Sequence, residues 1–212
     1  MSPPTTVVCD FGGVLTNPLI EAFTAYQEQS GISFEELGSA MMRLAEKADG
    51  EHPLFELEKG RISEAEFQSK LAAELGRDEP LGSLSESYFA HLRPNEPMID
   101  YVRTLRDRGL RMALLTNNVR ELEPHWRAQL PDIDEIFELV VDSAFVGMRK
   151  PEPEIYELTL ERLGGVPAEE CVFIDDTEVN CQMAERLGMR AVHFRDNEQA
   201  IAAVESIIRP GD

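Results

Sequence analysis

The sequence predicts an α/β protein, a doubly wound parallel sheet carrying an inserted helical cap domain. Two patterns predict it. Short apolar, partly β-branched runs at residues 6–10, 110–116, 139–142, 171–175 and 190–194 have the length and composition of buried strands. From residue 97 onward these runs alternate with helical patterns at 97–108, 121–129, 153–163, 178–187 and 197–208, the rhythm of βαβ units in a parallel sheet.

The stretch between the first and second runs is far longer than one crossover needs and is helical in pattern nearly throughout, so it reads as an insertion. Within it, Ser33 and Glu36 have capping-box spacing, with Ile32 and Leu37 at the positions of a hydrophobic staple. Ser63 and Glu66 repeat the device. The helix that follows keeps Phe67 and Leu71 on one face, adds Leu75 a turn later, and meets Gly76, where a left-handed stop is easy. The core is therefore expected at residues 1–17 and 91–212 and the cap at 18–90, joined by short hinges near Asn17 and residues 93–97.

A chain of 212 residues with 42% apolar content can build one main domain and a substantial insertion. Its net charge of −20, from 40 acidic and 20 basic residues, disfavours nucleic acid and anionic membrane surfaces as partners. The start lacks a basic segment followed by an apolar run, and no stretch approaches about 18 consecutive apolar residues, so a cytoplasmic location is expected. Cys9 and Cys171 fall in strand-like runs and Cys181 in a helical pattern, which suits reduced, structural thiols. His52, His91, His125 and His193 are scattered without metal-ligand spacing and read as surface or core residues.

Ligands of open α/β sheets bind beyond the carboxyl ends of the strands, so the residues at those ends decide the chemistry. The first strand ends in Asp10 and runs into Phe11, Gly12 and Gly13; the second ends in Thr116, Asn117 and Asn118; the fourth ends in Asp175 and Asp176; Arg149, Lys150 and Pro151 lie between. Each signal alone has an ordinary explanation as a turn, a helix cap or a solvated charge. Together, at one edge of one sheet, they have the parts of a phosphoryl-transfer site: a nucleophile, cations and fixed hydrogen-bond donors. Asp10 would be the nucleophile and form an aspartyl phosphate. Mg²⁺, which keeps several waters and takes few carboxylates, would suit Asp10, the Gly12 carbonyl and Asp176. Thr116, with the following amide N–H of Asn117, and Lys150 would hold the phosphate; Pro151 keeps Lys150 extended. Asp175 would order metal-bound water, and Asn180, one turn into the next helix, would hold the loop.

This series of strand-end segments resembles the four motifs of the haloacid dehalogenase superfamily. VVCDFGGVL at residues 7–15 is similar to the first motif and LLTNN at 114–118 to the second. RKPEP at 149–153, with Ile155 and Tyr156, is similar to the third, and VFIDD at 172–176, with Asn180, to the fourth. The resemblance implies a Rossmann-like core, a helical cap inserted after the first strand, an aspartyl intermediate, Mg²⁺ and a small phosphorylated substrate enclosed by the cap. Within the superfamily the chain resembles the branch of α-glucose-1-phosphate-type sugar phosphatases and the related domains fused to epoxide hydrolases and acyl-CoA dehydrogenases. The cap segment LEKGRIS at 57–63, with Phe67, is similar to that branch as well.

One position departs from the pattern. Phosphatases of the superfamily usually carry a second aspartate two residues after the nucleophile, as general acid and base, and here that residue is Gly12. General acid–base help contributes roughly 10²- to 10⁴-fold in rate. The expected function is a Mg²⁺-dependent phosphatase of a small, sugar phosphate-like metabolite. Two alternatives stand beside it: a regulatory protein that binds phosphate but hydrolyses little because of Gly12, and a metal-free haloacid dehalogenase, which has no evident use for paired Asp175 and Asp176. A phosphomutase fits poorly, since it too wants an acid–base residue at position 12.

Overall fold

The structure, a computed structural model, describes residues 3–18, 21, 24, 27–28, 31–47, 52–77 and 91–208. Among them β1 (Thr6–Cys9), β2 (Arg111–Thr116), β3 (Leu139–Asp142), β4 (Cys171–Asp175) and β5 (Arg190–His193) form a single sheet of order β3-β2-β1-β4-β5. Every pairing is parallel. The α/β doubly wound expectation therefore holds.

Alternation along the strands explains the two layers. On one face Val7, Cys9, Met112, Leu114, Val172 and Ile174 pack against α4 (Glu96–Asp107) and α10 (Asn197–Ile208). On the other, Val8, Ala113, Leu115, Val141 and Phe173 pack against α8 (Pro153–Arg162) and α9 (Glu178–Arg186). Strands covered on both faces need apolar residues at every position, which is why they read as unbroken apolar runs rather than alternating ones.

Register sets the height of the strand ends. Cys9 pairs with Leu114 on one side and Ile174 on the other, and the Asp10 N–H donates to the Ile174 carbonyl at 2.9 Å. Asp10 thus stands one residue past the last β1 pair, level with Asp175.

The inserted stretch is helical where described: α1 (Phe34–Lys47), α2 (Pro53–Glu58) and α3 (Glu64–Glu74). They enclose their own apolar cluster of Ile32, Leu37, Ala40, Leu57, Phe67, Leu71 and Ala72. Both predicted capping boxes form. Ser33 Oγ accepts from Glu36 N–H at 3.2 Å while the Glu36 carboxylate accepts from Ser33 N–H at 2.8 Å, and Ser63 and Glu66 do the same. Gly76 follows α3 at φ 67°, the left-handed stop its sequence position suggested. The expected cap at 18–90 includes residues 48–51 and 78–90, and several positions between 19 and 30, that lie outside the described residues.

The two ends of the insertion meet. Thr16 bridges Pro94, the Asn17 N–H donates to the Arg93 carbonyl at 2.9 Å, and the Arg93 N–H returns a bond to the Asn17 side chain at 2.8 Å. Asn95 fastens the same junction by donating to the carbonyls of Leu15 and Val14.

Local chemistry shifts two boundaries. The helix expected at 121–129 begins as a single 3₁₀ turn, Arg120–Leu122, and becomes α5 (Glu123–Ala128) only where Pro124, lacking an N–H, can occupy the first turn. Two one-turn helices, α6 (Ile133–Ile136) and α7 (Ser143–Val146), were too short to leave a periodic signal.

Candidate active site

Four segments converge at the carboxyl edge of the sheet. Asp10, Gly12, Thr116, Asn117, Lys150, Asp176 and Asn180 all line one cavity of about 260 Å³.

At its floor lies a buried ionic cluster. Lys150 is 1% exposed, and its ammonium sits 2.8 Å from Asp10 Oδ1 and 2.6 Å from Asp175 Oδ2. The loop that delivers it is clamped by Asn117, whose side-chain amide accepts from the Lys150 N–H at 2.8 Å and donates to its carbonyl at 2.9 Å. The Lys150–Pro151 peptide is cis. Asn117 was expected to offer its backbone to a phosphate; its side chain holds the lysine in place.

Asp175 is spoken for on both oxygens. Oδ1 accepts from the Thr177 N–H and from Asn180 Nδ2, and Oδ2 accepts from Lys150 and, at 3.2 Å, again from Asn180. Asn180 is steadied in turn by Tyr156, whose hydroxyl donates to its carbonyl. Asp10 Oδ1 takes the Phe11 N–H at 2.7 Å as well as Lys150, while Oδ2 has no partner among the described residues. Nor has the hydroxyl of Thr116, which is on the cavity wall.

The carboxylates of Asp10, Asp175 and Asp176 lie within 4.8 Å of one another. Three carboxylates thus face one ammonium. Burial pushes Asp10 up to about 8, opposed by Lys150 and reinforced by Asp175. Burial, with Asp175 beside it, also raises Asp176. On Lys150 burial acts against the charge, yet Asp10 and Asp175 outweigh it and hold the ammonium above its usual range. An excess of negative charge taken out of water is what a bound cation relieves. With Asp175 engaged, the oxygens left for a metal are those of Asp10 and Asp176.

Gly13 makes room for this arrangement. It takes φ 74°, and a Cβ there would lie 2.1 Å from Asp176 Oδ2. The Gly13 N–H donates to Thr16 Oγ1 at 3.0 Å, closing the turn. Gly13→Ala should therefore lose about 1–3 kcal/mol in urea unfolding through left-handed strain and displacement of Asp176. An unchanged midpoint and slope would show that the turn accepts a side chain freely.

Several groups at the site escaped the sequence reading. His193 Nε2 lies 2.9 Å from the Asp176 carbonyl, so this supposed bystander braces the loop. Trp126 is buried, lines the cavity and packs against Phe11 with ring centroids 5.1 Å apart. Glu58, the last residue of α2, enters the cavity from the inserted helices and pairs with Arg149 at 2.6 Å. Burial raises the Glu58 carboxyl, with Arg149 opposing.

The inserted segment is fastened to the core beside that pair. Ser143 Oγ donates to the Glu58 carbonyl at 2.6 Å and accepts from the Asn118 N–H at 3.0 Å. Lys59 pairs with Glu152 at 2.5 Å. Gly60 lies so close to the core that a Cβ would stand 2.2 Å from the Ala144 carbonyl oxygen. The three cysteines are buried and free, and burial raises the thiols of Cys9, Cys171 and Cys181.

Comparison with known proteins gives this geometry a setting. A family model described as haloacid dehalogenase-like hydrolase matches residues 4–188. Bifunctional epoxide hydrolase 2 of Sus scrofa is 34% identical over 116 residues, covering 53% of this chain and 21% of its own. The chain spans between 19% and 38% of the length of three mammalian relatives, two of them bifunctional epoxide hydrolases and the third an acyl-CoA dehydrogenase family member. Sesquiterpene phosphatase astK of Aspergillus oryzae is 26% identical over 203 residues, covering 90% of this chain and 89% of its own. A HAD family enzyme of Bacteroides thetaiotaomicron, solved as a magnesium complex, superposes with a TM-score of 0.64 at 26% identity, over 90% of this chain and 93% of that one.

Proposed function

Because the chain belongs to the haloacid dehalogenase-like hydrolases, we propose that it is a Mg²⁺-dependent phosphatase of a small phosphorylated metabolite, with Asp10 as nucleophile. The observation that carries this reading is the buried cluster in which Asp10, Asp175 and Asp176 share the single ammonium of Lys150. A metal-free dehalogenase gains nothing from the two uncompensated charges. Mg²⁺ coordination is further supported by the magnesium complex of the Bacteroides relative, and phosphate chemistry by the Aspergillus relative named as a phosphatase.

In this mechanism Lys150 and the Phe11 N–H hold the Asp10 carboxylate in place as it attacks phosphorus; the P–O bond to the leaving group breaks, and the departing alkoxide takes its proton from solvent. Thr116 Oγ1 and the amide that follows it would donate to phosphate oxygens. Asp10, Asp176 and the Gly12 carbonyl would hold Mg²⁺, which when bound neutralises phosphate and carboxylate charge. Water then hydrolyses the aspartyl phosphate. Asp175 and Asn180 position Lys150 and the Asp176 loop. The helices over the cavity act as the cap, and about 260 Å³ of space suits a small ester.

Gly12 favours a second reading, a phosphate-binding protein without turnover, because no side chain there protonates the leaving alcohol. Phosphate release from a panel of sugar phosphates, glycerol phosphate and an aryl phosphate, with Mg²⁺ or with chelator, separates the two. Release should fall at least about a hundredfold under chelation. Folded protein that binds Mg²⁺ and releases nothing from any ester would support the second reading.

A further inference from the structure

The Glu58–Arg149 pair has properties the reaction above does not use. It lines the same cavity as Asp10 and Lys150, with side chains only 16% and 13% exposed. Its orientation is fixed from both sides: the guanidinium lies 3.9 Å over the Phe55 ring, and the Glu58 backbone is held by Ser143.

One bond joins the two groups, from Arg149 Nε to Glu58 Oε2. Among the described residues, neither the Nη nitrogens of Arg149 nor Glu58 Oε1 has a hydrogen-bond partner. The pair therefore offers unmet donors beside an unmet acceptor, at no net charge. A hydroxyl, which donates and accepts at once, satisfies both. A carboxylate there meets Glu58, an ammonium meets Arg149, and a methylene desolvates both without replacing their bonds to water.

We propose that Glu58 and Arg149 together read a neutral hydroxyl on the leaving alcohol, which makes the enzyme selective for phosphate esters of small polyols. This rests on the phosphatase reading above. Selectivity then comes from an acceptor delivered by the inserted helices and a donor placed by the residue before Lys150, so the alcohol is tested where the inserted segment meets the core.

Matched esters isolate the effect: glycerol 3-phosphate, its deoxy counterpart n-propyl phosphate, and phosphoserine. The native protein should prefer the glycerol ester in kcat/KM by at least about tenfold over each of the others. In the double variant Glu58→Leu with Arg149→Met, apolar bulk replaces the pair without stranding a buried charge. There the glycerol-to-propyl ratio should collapse to within about twofold. A native protein indifferent to the hydroxyl, or a preference that survives the double variant, overturns the proposal.

A binding measurement keeps this independent of turnover. Trp126 is the chain's single tryptophan and lines the cavity, so its fluorescence in Asp10→Asn protein with Mg²⁺ reports ester binding. Absence of hydrolysis across all esters would sink the phosphatase reading, whereas the fluorescence titrations still rank the three esters. The same tenfold order supports the hydroxyl reader, and equal affinities overturn it.

Discussion

Asp10→Asn should abolish phosphate ester hydrolysis, by about 10⁴-fold or more, while leaving the protein folded. A carboxamide has nearly the shape of the carboxylate but no nucleophilic oxygen. The Phe11 N–H can still find an oxygen acceptor, and Lys150 keeps Asp175 at 2.6 Å. Since three carboxylates crowd one ammonium, loss of one negative charge removes repulsion as well as attraction. Stability in denaturant should therefore change little. Phosphate release, single-turnover trapping of labelled protein and a urea titration test all parts at once. Turnover surviving in the Asn protein would exclude Asp10 as the nucleophile.

Lys150→Met should be damaging in a different way, because it costs stability as well as rate. It removes the cation that bridges Asp10 and Asp175 and leaves two buried carboxylates face to face, a loss of about 3–5 kcal/mol. The sign of its pH dependence follows from Asp10. Burial already raises that carboxyl from 3.8 to about 8 against the opposition of Lys150, and without the ammonium it rises further. A carboxyl whose folded pKa is raised binds its proton more tightly when folded, so stability falls as pH rises from about 4 through and beyond 8. The Met protein should thus regain part of its stability in acid, and its hydrolysis at neutral pH should drop at least about 10³-fold. Urea midpoints that match the native protein at every pH would show that Lys150 does not balance the cluster.

The core was legible because its strands are covered on both faces, so each leaves an apolar run that ends abruptly in polar residues. Register then does the rest: Cys9 opposite Leu114 and Ile174 brings Asp10 level with Asp175, as strand ends in one parallel sheet must. What the sequence could not display were contacts between distant segments. Nothing around Glu58 predicts that it meets Arg149, 91 residues away. His193 carries no local sign that its ring will face the Asp176 carbonyl. Asn117 was recognised by its place after β2, yet its side-chain bonds run to Lys150, 33 residues on. α7 spans only Ser143–Val146, too short for periodicity, although its first residue ties the inserted segment to the core.

The chain leaves the core and returns to it through one doorway, where Thr16, Asn17, Arg93 and Pro94 are already bonded to each other. The sheet and its nearest helices are built from residues on either side of that doorway. Closing a longer loop costs little extra, about 0.6 kcal/mol for each doubling of its length. Whatever is spliced between Asn17 and Arg93 can therefore grow, shrink or be exchanged as a cassette without redrawing the sheet. Evolution and protein engineers alike can change what this hydrolase encloses while leaving the chemistry at the strand ends where it is.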